Sequence, residues 1–102
     1  MKFGFKNEDL KKMHTIFEQF PDIHSVIIFG SRAMGNYKKG SDIDLVLLGN
    51  IEPSILNKVK FLLNEETPLP YFFDVVLYNE IKNKELKHHI DHYGKTIYEK
   101  KD

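Results

Sequence analysis

Two short apolar runs constrain the fold more than any other feature of the chain. Ile23 to Phe29 is β-branched and apolar and stops at Gly30, while Leu45, Val46, Leu47 and Leu48 form a second run that stops at Gly49. Runs of this length, closed by glycine, read as buried strands. The second strand, Asp42 to Leu48, opens with two acids, Asp42 and Asp44. A buried carboxylate is costly unless it is paired or bound to metal, so either this strand end is exposed or the pair holds a cation.

The flanking segments have helical spacing. From Asn7, a plausible N-cap followed by acidic Glu8 and Asp9, the residues Leu10, Met13, Phe17 and Phe20 recur every three or four positions, giving an amphipathic helix that ends near Pro21. Pro53 and Ser54 open a second helix with Ile55, Leu56, Val59, Leu62 and Leu63 on its inner side, stopped by Pro68 and Pro70. Tyr71 to Tyr78 is aromatic and β-branched, a third strand carrying one charge, Asp74. The tail has Ile81, Leu86 and Ile90 in helical register, with Gly94 as its C-terminal cap before a short segment Thr96 to Tyr98. The order implies an α/β (α+β) fold, a small mixed sheet flanked by helices. At 102 residues the whole chain, 1–102, is expected to form a single domain.

Asp42 and Asp44 are two apart on a strand and leave it on one face, with Cα atoms ~6.5–7 Å apart. A metal ion, or a pair, fits between such carboxylates, and Mg²⁺ prefers carboxylate, water and phosphate oxygens. Asp74 supplies a third acid if its strand lies beside theirs; three converging acids repel one another and a divalent ion relieves them. Taken alone, Asp-x-Asp reads more readily as a turn cap on a solvated strand end than as a metal site. The turn before it adds to the signal: Gly30-Ser31 follows a strand and begins a short helix, where backbone N–H groups, the Ser31 hydroxyl and the missing Cβ of glycine favour phosphate. Arg32, the only arginine, follows and suits forked contact with phosphate oxygens, or else is a surface charge. Gly35 and Gly40 bracket a loop bearing Lys38 and Lys39, which could reach a triphosphate or stay solvated. His88, His89 and His92 are expected to be surface histidines of the last helix, since no third zinc ligand stands near His88 and His92.

Fifteen basic residues balance fifteen acidic ones, so the chain lacks the electrostatic footprint of a protein that grips nucleic acid through many phosphates. There is no cysteine, no amino-terminal apolar stretch before a cleavage site and no apolar run of bilayer length. The expectation is a cytoplasmic protein with no membrane partner and no direct nucleic-acid partner.

The string "GSRAMG", then "SDIDLVLL" ten residues after Gly30-Ser31, then "FFDVVLY" and the ending "YGKTIYEK", resembles the nucleotidyltransferase superfamily that includes DNA polymerase beta, in its minimal stand-alone branch. The resemblance covers nearly the whole chain. It implies the polymerase beta-like fold, with Asp42, Asp44 and Asp74 as catalytic and metal ligands for Mg²⁺ (two ions). Gly30, Ser31 and Arg32 would bind ATP, and Asp74 would help to activate an acceptor hydroxyl. The implied reaction is attack of that hydroxyl on the α-phosphorus, with release of pyrophosphate. Minimal members are typically paired with an all-helical HEPN-domain toxin, so the resemblance implies an antitoxin that adds AMP to a tyrosine of a HEPN partner. The alternatives are neutralisation of the partner by binding alone, and transfer to a small molecule of the aminoglycoside kind.

Overall fold

The computed structural model describes residues 3–38 and 40–101; Lys39 lies outside them. The elements are α1 (Asn7–Glu18), β1 (Ser25–Phe29), α2 (Ser31–Met34), β2 (Ile43–Leu48), α3 (Pro53–Glu65), β3 (Phe73–Leu77), a 3₁₀ turn at Tyr78–Glu80, α4 (Lys84–Tyr93) and β4 (Lys95–Glu99). The strands form one mixed sheet in the order β3-β2-β1-β4. β1 runs antiparallel to β2 and β4, and β2 runs parallel to β3.

The sheet is polar at its ends and apolar across both faces, which the helices cover. Ile43, Leu45 and Leu47 of β2 face the larger core with Val26, Ile28, Phe73 and Val75, under Met13, Ile16 and Phe17 of α1 and Val59 and Leu63 of α3. On the opposite face Phe29 and Val46 pack against Ile90 of α4, with Leu86 and Val76 at the margin. Asp44 and Asp74 have the same strand parity as Val46 and Val76, so their side chains leave on the α4 face. That parity puts the acids beyond the apolar part of the smaller core rather than inside the larger one.

Several boundaries differ from the sequence expectation, each for a local reason. The N-cap of α1 is Lys6 rather than Asn7, because Asp9 in the first turn turns back to accept the Lys6 backbone N–H at 3.3 Å. Asp42 stands one residue outside β2. The short segment at Thr96 to Tyr98 is a full strand, β4, whose register shifts opposite Val26 and Ile27, leaving Ile97 as the extra residue. Gly94 is extended and not left-handed; its value is space, since a Cβ there would come 2.6 Å from Ile27 Cγ2 and 2.5 Å from the Ile90 carbonyl. No helix among the described residues is long and apolar enough to cross a membrane.

Candidate active site

The antiparallel pairing of β1 with β2 sets Phe29 opposite Asp44, and the parallel pairing of β2 with β3 sets Asp44 opposite Asp74. Directly paired strands lie ~4.8 Å apart, so the Asp44 and Asp74 carboxylates are neighbours on one face, with Asp42 just before β2 and near enough for its charge to act on Asp44. Asp42 and Asp74 are exposed and Asp44 is half-buried. The chain leaves β1 at Gly30, beside Asp44, and enters α2. Gly30 has φ 74° and ψ −155°, a conformation essentially restricted to glycine, and a Cβ there would collide with Asp44 Oδ2. Gly30 is therefore required twice, by the turn and by the carboxylate lying against it. Gly30→Ala is expected to destabilise the fold by about 2–3 kcal/mol and to displace the Asp44 carboxylate, read as an earlier denaturant midpoint at unchanged slope.

Asp44 carries the electrostatic signature of the cluster. Burial first, then the charges of Asp74 and Asp42, hold its carboxyl above the ordinary value. The folded chain thus holds this proton more tightly than the unfolded one. That contribution to stability is complete below the ordinary carboxylate value and is lost as the pH rises through the raised one. In chelator-containing buffer, Asp44→Asn is expected to raise the melting temperature at neutral pH, with the gain shrinking as the pH falls toward ~4. Asp44 and Asp74 on paired strands, with Asp42 just before β2, are the residues that would hold a divalent ion. Among the described residues no three His, Asp or Glu side chains close on a point to enclose an ion unaided. An open set of this kind suits Mg²⁺, which takes its remaining ligands from water and phosphate.

The structure places Arg32 inside the fold. It is 3% exposed, and its guanidinium is already engaged: Nη1 donates to the Phe3 carbonyl at 2.9 Å, and Nε and Nη2 donate to the Ser41 carbonyl at 3.3 and 2.9 Å. The rings of Tyr37, Tyr71 and Phe5 lie 4.9, 5.1 and 5.4 Å from its Cζ. It is not a surface charge, and three of its N–H donors are spent within the chain. It ties the amino-terminal segment and the loop after α2 to the residue that precedes Asp42. Ser41 Oγ, beside that anchor, is buried without a hydrogen-bond partner.

His89 is the site residue that sequence reasoning missed. Its Nε2 accepts the Gly30 backbone N–H at 3.0 Å across 59 positions of sequence. His88 and His92 are exposed, as expected, with ring centroids 3.8 Å apart. Only the pairing of α4 with the end of β1 distinguishes His89 from its neighbours, and no local pattern encodes that. A surface hollow between α1 and β4, lined by His14, Glu18, Ile97 and Tyr98, lies apart from the acids.

A family model described as polymerase beta, nucleotidyltransferase, matches residues 11–102. Among solved structures, a chain in a toxin–antitoxin complex with AMP-PNP superposes with a TM-score of 0.72 at 19% identity, over 89% of this chain and 73% of that one. A chain in the structure of a tri-AMPylated Shewanella oneidensis HEPN toxin in complex with MNT antitoxin gives 0.69 at 16% identity, over 94% and 74%. A chain of the MntA–HepT toxin–antitoxin gives 0.68 at 16% identity, over 93% and 74%. At these identities the likeness shows a common fold. No curated protein sequence matches the chain.

Proposed function

Because the chain belongs to the polymerase beta nucleotidyltransferase family, we propose that it transfers AMP from ATP to a hydroxyl, that of a tyrosine, on a HEPN-domain partner, and that it acts as the antitoxin of that partner. The observation that carries this reading is the pairing of Asp44 with Asp74 on parallel strands beside the Gly30 turn. The likeness to toxin–antitoxin complexes, one with AMP-PNP and one with an AMPylated HEPN toxin, supports the choice of nucleotide and partner.

In this mechanism Asp42, Asp44 and Asp74 would hold Mg²⁺, two ions by family analogy, which when bound would neutralise charge on the attacking and leaving oxygens. The Ser31 hydroxyl donates to a phosphate oxygen and, with the Gly30 turn, orients the triphosphate. Asp74, exposed at the edge of the set, takes the proton of the acceptor hydroxyl as its oxygen bonds to the α-phosphorus. The bond to the leaving pyrophosphate breaks in line with that attack. Holding acceptor and nucleotide in this geometry supplies most of the acceleration, since the acids form no covalent bond with the substrate.

The test is incubation of the protein with Mg²⁺, α-labelled ATP and a HEPN-domain protein to which it binds. Label on the partner is the expected result. A partner that is bound and silenced but never labelled favours neutralisation by contact instead.

A further inference from the structure

The proposed mechanism does not use His89, yet the side chain is held firmly at the edge of the site. α4 brings it over the end of β1, where its ring meets Phe29 edge-on at 6.3 Å and is tilted against Tyr93 at 5.5 Å. Because a backbone N–H only donates, the hydrogen bond from Gly30 makes Nε2 the lone-pair nitrogen and puts the proton of the neutral ring on Nδ1. Gly30 is thereby fixed by two partners that come from different parts of the chain. Its N–H is held by His89 of α4, and its Cα lies against the Asp44 carboxylate of β2.

We propose that His89 is a positioning residue for nucleoside triphosphate: by accepting the Gly30 N–H it sets the peptide that enters the Gly30-Ser31 turn, and so the place of Ser31 relative to Asp44. The inference rests on the nucleotidyltransferase reading of the site and deepens it. Four features support it: the length of the hydrogen bond, the contacts of the ring with Phe29 and Tyr93, the glycine-only dihedrals of the residue it holds, and the partial burial of the contact. Loss of the acceptor would strand a part-buried N–H and free the turn to rotate. A misplacement of ~1 Å at such a point is enough to weaken binding and catalysis many-fold.

The test is titration of the full chain with Mg²⁺ and a non-hydrolysable ATP analogue, in wild type, His89→Leu and His89→Gln. Gln carries an amide oxygen at about the reach of Nε2, whereas Leu keeps bulk without an acceptor. His89→Leu is expected to weaken binding about ten-fold, with His89→Gln within about three-fold of wild type. A merely structural histidine would alter the melting temperature without this rescue. Should His89→Leu melt below the assay temperature, His89→Asn, whose amide stops short of the Nε2 position, takes its place with the same expected loss. Equal affinity in wild type and the acceptor-less variant, or a Gln variant as weak as it, would overturn the proposal and leave the nucleotidyltransferase reading intact. A wild-type chain that binds no analogue would overturn both.

Discussion

Arg32→Met is expected to lower the free energy of unfolding by about 3–4 kcal/mol, because hydrogen bonds from a charged donor are worth ~1.5–3 kcal/mol each and cation–π contacts add to them. The methionine keeps the apolar stem. It leaves the Phe3 and Ser41 carbonyls without their donors and three aromatic rings without their cation. For a chain whose total stability is on the order of 5–15 kcal/mol, that is a shift in melting temperature of roughly 12–20 °C. Arg32→Lys keeps a charge but lacks the planar fork, and should fall between the two. Denaturant unfolding with equal slopes for all three chains is the check. An Arg32→Met midpoint equal to that of wild type would contradict the assignment of Arg32 as the anchor of the loop before Asp42.

The second large effect concerns chemistry. Asp42→Asn and Asp44→Asn are each expected to slow transfer of AMP by about 10³-fold or more, a loss of ~4 kcal/mol of transition-state stabilisation. Neither change should unfold the chain. Asp42 is exposed outside β2, and the Asp44 carboxylate is penalised in the fold by burial and by Asp74 and Asp42. The same Asp44→Asn chain should therefore be inactive and more heat-resistant in metal-free buffer, a dissociation of the two properties that a merely structural carboxylate would not produce. Rates from a fixed-time labelling assay, beside melting curves of the same preparations, measure both.

The parts of the molecule that were legible in sequence are those with a local period or a local stop. The apolar runs within Ile23 to Phe29 and Asp42 to Leu48, each closed by a glycine, indicated strands, and the inner rows of α1 and α3 were visible in Met13, Phe17, Val59 and Leu63. Pairing decided what remained hidden. β4 looks like a short tail segment because Lys95, Thr96 and Glu99 are exposed, and it becomes a strand only through its partner β1. Arg32 sits beside a glycine-serine turn and so reads as a phosphate ligand. The rings that claim it, Phe5, Tyr37 and Tyr71, are scattered along the sequence and meet only in the fold. His89 stands between two exposed histidines that share its composition but not its contact with Gly30. The acids were visible as an anomaly because a charge at the mouth of an apolar strand conflicts with the local pattern, and such conflicts concentrate at functional sites.

The most direct measurement is the intact mass of a HEPN-domain partner after incubation with ATP, Mg²⁺ and this chain, in wild-type and Asp44→Asn form, with pyrophosphate counted in the same reaction. The partner is expected to gain whole AMP units, each matched by one pyrophosphate, with the wild-type chain alone. A partner whose mass is unchanged while it remains bound, or one that gains AMP equally with Asp44→Asn, would contradict it.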